Sequence, residues 1–465
     1  MIKIKFGTDG WRAIIAQEYT VDNVIRVAEG SAMWMKEKGY SKVVLGHDCR
    51  FGGELFAQST ARVFGAYGIK VFLAKDFVST PMISLGVVKL KAGLGVVITA
   101  SHNPPSYNGY KLKSRHGGPS IPQEVNEVEE LIPDTVKTDL PSIEELVEQE
   151  LIEYVDLEGM YIKHVQDNFD LDTIYNSGIK FAYDAMYGAG MNVMKKLFPD
   201  ATLLHCKHNP SFHGQAPEPI AKNLTELSDV LKNTDDLVCG LANDGDADRI
   251  GMYDDKGAFV DSHRILLLLL YYLFEFKNLK GKVIITFSVT DKMKKLAELY
   301  GCDYEVTKIG FKYIAEIMTK EDVLVGGEES GGLAVKGHIP ERDGVWIGLL
   351  ILEFMAKTGK SLNTLIQEVY DKVGGFSFER DDLHIKNEQK LDVIEKCKAG
   401  FWKKFGKFEI VSYETLDGFK YKIDENSWIM IRPSGTEPVL RVYAQAETAE
   451  KVREMLNNTK ETILQ

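Results

Sequence analysis

Four short polar stretches carry residue types whose spacing could do chemistry on phosphorylated compounds. In the first, Thr99-Ala100-Ser101-His102-Asn103-Pro104-Pro105, a serine follows an apolar run and two prolines stop regular structure. A rigid loop of this kind can hold a hydroxyl exposed and fixed, without the G-x-S-x-G elbow of hydrolases. A turn in which Ser101 and Asn103 satisfy backbone groups accounts for the same residues equally well. In the second, Asp244, Asp246 and Asp248 stand at every other position before Arg249. Carboxylates so spaced share one side of an extended chain, and their repulsion calls for a cation or a proton. Hard oxygen ligands suit Mg²⁺ or Ca²⁺. Counted from Asp244, the sixth and twelfth positions hold Arg249 and Asp255, where a calcium-binding EF-hand needs Gly and Glu, so Mg²⁺ with positions open to phosphate oxygen fits better. A solvated acidic turn is the alternative.

The third stretch, Gly326-Gly327-Glu328-Glu329-Ser330-Gly331-Gly332, lets backbone approach a ligand closely and offers Glu328 and Ser330 to vicinal hydroxyls. A plain glycine-rich turn reads the same way. The fourth, Arg432-Pro433-Ser434-Gly435-Thr436-Glu437-Pro438 with Arg441 beyond, combines forked guanidinium groups, two hydroxyls and a glycine backbone into a phosphate cradle. Its alternative is an ordinary connection between strands. Softer signals are Arg12 in an early loop, Lys111 ten residues after Ser101, and the lysines of Lys308-Ile309-Gly310-Phe311-Lys312.

The elements that must position these loops follow one rhythm. Lys42–Gly46, Lys70–Ala74 and Gly93–Ala100 read as buried strands separated by helical periodicity, a β-α-β-α-β succession. Ile179–Tyr183 with Leu237–Leu241, and Lys282–Phe287 with Val323–Gly326, frame two further units of the same kind. The tail, with alternating strands at Ile429–Arg432 and Leu440–Ala444 and a helix at Ala449–Leu456, reads as α+β. Three polar loops directly follow apolar strands, and open α/β sheets bind ligands at that end. One shared cleft is therefore expected. The expected domains are 1–150, 160–255, 256–373 and 374–465.

The chain has 465 residues, 44% apolar and 27% charged, which excludes wholesale disorder. Its net charge is −12, and residues 124–158 alone hold thirteen acidic residues against Lys137, so the remainder sums to zero. No basic stripe exists for nucleic acid. Ile265–Phe274 and Val345–Ala356 are too short to span a bilayer and read as buried helices. Five scattered cysteines without a C-x-x-C pair, and an N-terminus without an apolar signal core, point to free thiols and a cytoplasmic protein.

Taken in order, Phe6–Arg12 (FGTDGWR), Thr99–Pro104 (TASHNP), Asp244–Arg249 (DGDADR), Gly327–Gly332 (GEESGG) and Arg432–Pro438 (RPSGTEP) resemble the α-D-phosphohexomutase superfamily, the phosphoglucomutases and phosphomannomutases, across nearly the whole chain. The resemblance implies three consecutive α/β domains with mixed or parallel sheets and a smaller C-terminal α+β domain around a central cleft. It implies that Ser101 carries the catalytic phosphoryl group, and that Asp244, Asp246 and Asp248, with an oxygen of phosphorylated Ser101, bind Mg²⁺. It places Glu328 and Ser330 on sugar hydroxyls, and Arg432, Ser434, Gly435, Thr436 and Arg441 on the non-reacting phosphate. Arg12, His102, Lys111 and Arg249 match active-site positions, Lys111 as proton shuttle, and Lys312 matches more loosely as an orienting residue. The implied reaction interconverts hexose 1- and 6-phosphates through a hexose 1,6-bisphosphate, which also serves as activator. A monomer or homodimer is expected.

GEESGG looks more like glucose-preferring members, which often differ from phosphoglucosamine mutases where Glu329 and Gly332 stand. FGTDGWR is closer to the phosphoglucosamine mutase form. Phosphoglucomutase is the leading expectation, with phosphomannomutase or phosphoglucosamine mutase as the alternative. A magnesium phosphatase with Asp244 as nucleophile would want Thr or Val where Asp248 stands, and leaves Ser101 idle. A sugar-phosphate sensor without catalysis has no use for an intact Ser101 beside three aspartates.

Overall fold

The structure, a computed structural model, describes residues 2–433 and 439–464. The chain divides into two compact units, one of residues 1–284 and 310–365, the other of residues 285–309 and 366–465.

In the first unit, strands β1 (Trp11–Ile14), β2 (Lys42–His47), β3 (Lys70–Ala74), β4 (Leu94–Ile98), β5 (Tyr107–Ser114) and β6 (Ile152–Val155) form one sheet in the order β1-β5-β4-β2-β3-β6. β2 pairs in parallel with β3 and β4, as the strand–helix rhythm requires. All five residues of β4 are buried, the sign of a strand covered on both faces. Helices Val21–Glu37, Gly53–Ala66 and Thr80–Lys89 supply that cover. Thr20 and Ser79 cap two of them by accepting from the amides of Asn23 and Met82; such caps contribute about 1 kcal/mol each.

β5 is not among the strands expected from the sequence. The chain turns after Pro104 and runs back antiparallel to β4, with Val97 opposite Lys111. That return places Lys111 on a buried strand. The acidic stretch folds as the helices Pro122–Leu131 and Ile143–Glu148, which begin it, and its charges stay largely on exposed positions.

A second sheet takes β7 (Phe181–Asp184), β8 (Thr202–Leu204), β9 (Cys239–Asn243), β10 (Ile250–Asp254) and β11 (Phe259–Val260) in the order β11-β10-β9-β7-β8. β9 and β10 are antiparallel, Asn243 opposite Ile250, so residues 244–249 are the loop between them. A third sheet holds β12 (Lys282–Thr286), β13 (Tyr304–Thr307), β14 (Val323–Gly327) and β15 (Leu333–Val335) in the order β13-β12-β14-β15. The apolar runs near 265 and 345 are buried helices, Ser262–Tyr271 and Gly344–Thr358. No helix of the described residues is long and apolar enough to cross a membrane.

In the second unit, Ser377–His384, Val439–Ala446, Trp428–Pro433, Phe419–Lys422 and Ser412–Glu414 form an antiparallel sheet in that spatial order. Helices Asn387–Lys398 and Ala449–Leu464 cover it over a core that includes Leu383, Ile429, Leu440, Val452 and Leu456. All five cysteines are free.

Candidate active site

Ser101 stands directly past β4 in a left-handed backbone conformation, φ +53°, uncommon for a residue with a Cβ. A buried framework holds it there. Its amide donates to Thr99 Oγ1 at 2.9 Å, and Thr99 Oγ1 donates to Asp48 Oδ2 at 2.5 Å. One guanidinium grips the loop by its carbonyls: Arg50 Nη2 donates to Ser101 O (2.5 Å) and Asn103 O (2.7 Å), and Nη1 to Pro104 O (2.9 Å) and Tyr107 O (3.1 Å). Burial pushes the Asp48 carboxyl up to about 6, against the pull of Arg50 and the hydrogen bond from Thr99.

The acidic loop meets this serine directly. Ser101 Oγ donates to Asp244 Oδ2 at 2.8 Å. Gly245 is required for that approach, since a Cβ there would lie 2.6 Å from the Ser101 carbonyl. Ala247 turns the loop with φ +56°, and its amide donates to Asp244 O. Asp244, Asp246 and Asp248 each offer an oxygen within 4.8 Å of the others, all buried. Asp246 Oδ2 accepts from Thr80 Oγ1 (2.5 Å) and Lys111 Nζ (2.7 Å), and Asp248 Oδ2 accepts from Lys111 Nζ (3.0 Å) and Arg342 Nη2 (2.5 Å). The Oδ1 atoms of both are buried with no hydrogen-bond partner among the described residues. Burial, then Asp246 and Asp248, push the Asp244 carboxyl well above the ordinary range. Buried, unengaged carboxylate oxygens beside a carboxyl driven toward its neutral form fit a small hard cation.

Lys111 and Arg342 are as enclosed as the acids, whereas Arg12 and Arg249 are half-buried. Burial pulls the Lys111 ammonium down, but Asp246, Asp248 and Asp9 together hold it above its usual value. Burial, then Arg249, Arg12 and Lys111, drive the His102 ring well below its usual value, leaving a neutral imidazole whose Nδ1 lies 3.3 Å from Ser101 Oγ. Arg12 Nη1 donates to Asn103 Oδ1 at 2.6 Å. The Arg249 amide donates to Asp244 Oδ1 at 3.1 Å. Glu328 is buried past β14, its amide donating to Gly332 O, and burial raises its carboxyl against the opposing pull of Arg342 and Arg249.

Among the sequence candidates, Arg12, Ser101, His102, Lys111, Asp244, Asp246, Asp248, Arg249 and Glu328 are thus linked by contacts or fields. Ser330 is half-buried in the same turn as Glu328. Lys312 lines a small recess with Phe6, Thr8 and Asp9, its ammonium 5.5 Å from the Tyr313 ring centre. Arg432 and Arg441 belong to the second unit, directly opposite each other on adjacent strands. Like charges in that register repel, which an anion between them would relieve. Ser434, Gly435 and Thr436 lie outside the described residues.

Sequence reasoning missed Asp9, Asp48, Arg50 and Arg342. Asp48 and Arg50 were within reach of the rule already used, because Asp48-Cys49-Arg50-Phe51-Gly52-Gly53 is another polar, glycine-bearing loop after an apolar strand. Arg342 gives no such signal.

A serine hydroxyl bonded to one of three clustered aspartates, amid buried cations, is an arrangement suited to phosphoryl transfer. Profiles described as phosphoglucomutase/phosphomannomutase domains I, II, III and C-terminal match residues 3–138, 159–257, 261–373 and 385–461. A phosphoglucosamine mutase of Methanococcus maripaludis is 31% identical, covering 95% of this chain and 94% of its own. A phosphoglucomutase/phosphomannomutase of Thermococcus kodakarensis is 29% identical, covering 97% and 96%. A crystal structure of a Thermus thermophilus protein assigned as a phosphomannomutase superposes with TM-score 0.87 at 34% identity, covering 99% of each chain. The chain belongs to the phosphoglucomutase/phosphomannomutase family and is a phosphohexomutase, with the four-domain α/β architecture that its motifs led one to expect.

Proposed function

We propose that Ser101 is a reversible phosphate carrier through which this enzyme interconverts hexose 1-phosphates and hexose 6-phosphates. The observation that carries this reading is the 2.8 Å bond from Ser101 Oγ to Asp244, with Lys111 wedged between Asp246 and Asp248. Phosphorylated Ser101 gives its phosphoryl group to the free hydroxyl of a hexose monophosphate. The resulting hexose 1,6-bisphosphate turns end for end, and its other phosphate returns to Ser101. Added hexose 1,6-bisphosphate would activate the enzyme by reloading Ser101.

The chain's own residues divide the work. Asp244, Asp246 and Asp248 would hold Mg²⁺ with an oxygen of phosphorylated Ser101, and the ion, when bound, offsets charge on the transferring phosphoryl oxygens. Arg12 and Arg249 add positive charge, and neutral His102 stays beside the carrier oxygen. Lys111, starting protonated, would act as the proton shuttle, giving its proton to the leaving Ser101 oxygen and recovering one from the attacking sugar hydroxyl. Glu328 and Ser330 take the sugar hydroxyls, with Lys312 helping to orient the ring. Arg432 and Arg441, with Ser434, Gly435 and Thr436, take the phosphate that is not reacting. The phosphoserine loop belongs to domain 1–150, the metal loop to 160–255, the sugar loop to 256–373 and the phosphate loop to 374–465. We place the protein in the cytoplasm as a monomer or homodimer.

For the sugar, the names carried by the relatives support the alternative, phosphoglucosamine mutase or phosphomannomutase, over the glucose preference suggested by GEESGG. The Phe6–Arg12 opening favours glucosamine phosphate within that alternative. A side-by-side kcat/KM for glucosamine, mannose and glucose 1-phosphates tests it: glucosamine 1-phosphate is expected to lead, and a lead for glucose 1-phosphate would return the assignment to phosphoglucomutase. A phosphopeptide containing Ser101 is expected after incubation with hexose 1,6-bisphosphate, and mass spectrometry finding none would remove the carrier role.

A further inference from the structure

Arg342 occupies a place that no motif announces. It is 4% exposed, and its side chain meets acids from three separate stretches of chain. Nη2 donates to Asp9 Oδ2 and to Asp248 Oδ2, both at 2.5 Å. Nη1 lies 3.6 Å from Glu328 Oε2, and the guanidinium sits 5.5 Å from the centre of the Phe311 ring. It thus bridges one of the three clustered aspartates to the glutamate of the glycine-rich turn.

The backbone under Arg342 is fixed from the same two sides. The amide of Asp343 donates to Leu333 O, just past the glycine-rich turn, and the amide of Gly344 donates to Ala247 O, inside the acidic loop. Asp343 Oδ1 accepts from the Trp346 amide and so caps the helix Gly344–Thr358. The two loops also meet directly, where the Ile250 amide donates to Gly331 O. Gly332 completes the arrangement. A Cβ on it would lie 2.3 Å from Arg342 Cδ, 3.1 Å from its Cγ and 3.2 Å from Glu328 Oε2. A side chain at 332 and the observed path of Arg342 exclude each other.

We propose that Arg342 is a positioning residue that couples the aspartate trio to Glu328, and that residue 332 is glycine in order to admit it. The guanidinium and Lys111 Nζ both engage Asp248 Oδ2, and Asp248 Oδ1 has no hydrogen-bond partner among the described residues. By facing Glu328 the guanidinium neutralises a carboxylate that is otherwise buried beside further acids. An Arg guanidinium suits the task, since its planar fork serves several oxygens at once where an ammonium is a point charge. The inference rests on the reading of Asp248 as a metal ligand and Glu328 as a sugar ligand.

The test combines Mg²⁺ binding by calorimetry on the intact protein with steady-state kinetics for Arg342→Gln, Arg342→Lys, Gly332→Ala and the double variant Gly332→Ala/Arg342→Gln. Arg342→Gln is expected to weaken Mg²⁺ binding at least tenfold and to raise KM for the hexose phosphate as well as lower kcat. Arg342→Lys should recover part of both losses, which a purely structural role would not produce. Gly332→Ala, by displacing the same side chain, should reproduce much of the effect, and the double variant should be no worse than Arg342→Gln alone. Mg²⁺ affinity and kcat/KM unchanged in Arg342→Gln, or effects of the two sites that multiply, would overturn the proposal. Should Arg342→Gln fail to fold, Gly332→Ala with wild-type Mg²⁺ affinity and KM overturns it equally. Failure of the underlying reading would show differently, as wild-type protein without Mg²⁺-dependent mutase turnover.

Discussion

Lys111 and Arg342, beside the aspartate trio, and Arg432 and Arg441, in the second unit, follow opposite rules. In the first region Lys111, Asp246 and Asp248 are fully buried and cross-linked, with Lys111 and Arg342 each between two or more acids. In the second, the Arg432 side chain is 20% exposed and reaches only Asp417 among the described residues, at 3.3 Å; Arg441 is 32% exposed and 3.8 Å from Asp382. Enclosure makes each pairwise interaction strong and each unpaired atom costly. Exposure makes contacts cheap to break and remake. A transferring centre needs the first property, because its groups must already stand where charge develops. The cradle proposed at Arg432, which would hold either phosphate of a sugar that turns end for end, needs the second.

This contrast can be broken most sharply at Ser101. Ser101→Ala is expected to lower kcat by about 10³-fold or more while hexose phosphate binding, measured by calorimetry, stays within about threefold; appreciable isomerisation would deny it the carrier role. Next in size, Arg432→Ala should raise KM about 10- to 100-fold, the worth of one charge-assisted grip on phosphate, with kcat and Tm much less affected. A Tm loss comparable to that of a core variant would place Arg432 among the buried kind of charge instead. The smallest effect is on stability against pH. Burial raises the Asp48 carboxyl to about 6 in the fold, above its unfolded value, so its protonated form is favoured in the fold. Its contribution is therefore whole below about pH 4 and disappears as pH rises through 6, a loss of up to about 3 kcal/mol. Asp48→Asn lacks that dependence, and urea unfolding at pH 4.5 and 6.5 should show the wild type losing ground relative to the variant.

Strands that read as apolar runs in the sequence, such as Leu94–Ile98 and Val323–Gly327, formed as expected, because burial on both faces writes itself into composition. β5 was hidden: Asn108-Gly109-Tyr110-Lys111 mixes polar and small residues, since Lys111 reaches the aspartates while Tyr110 and Leu112 pack in the core. The serine, aspartate and Glu328 loops, which the structure brings together, were legible because each keeps its candidate residues within a few positions. Arg342 was not, because Asp9 and Asp248 reach it across 333 and 94 positions. Arg50 fell in between, since its loop had the expected form but its task, gripping carbonyls, carries no sequence signature.

Under the carrier role proposed for Ser101, that grip bears on how a phosphoryl group would be loaded and released repeatedly. A doubly charged group arriving on Ser101 alters the local field abruptly, and a loose loop would answer by refolding around it at every turnover. Four carbonyls anchored to one guanidinium leave little slack for such a response. The loaded and empty states can then share one backbone, and little of the barrier to transfer is spent on rearranging the loop.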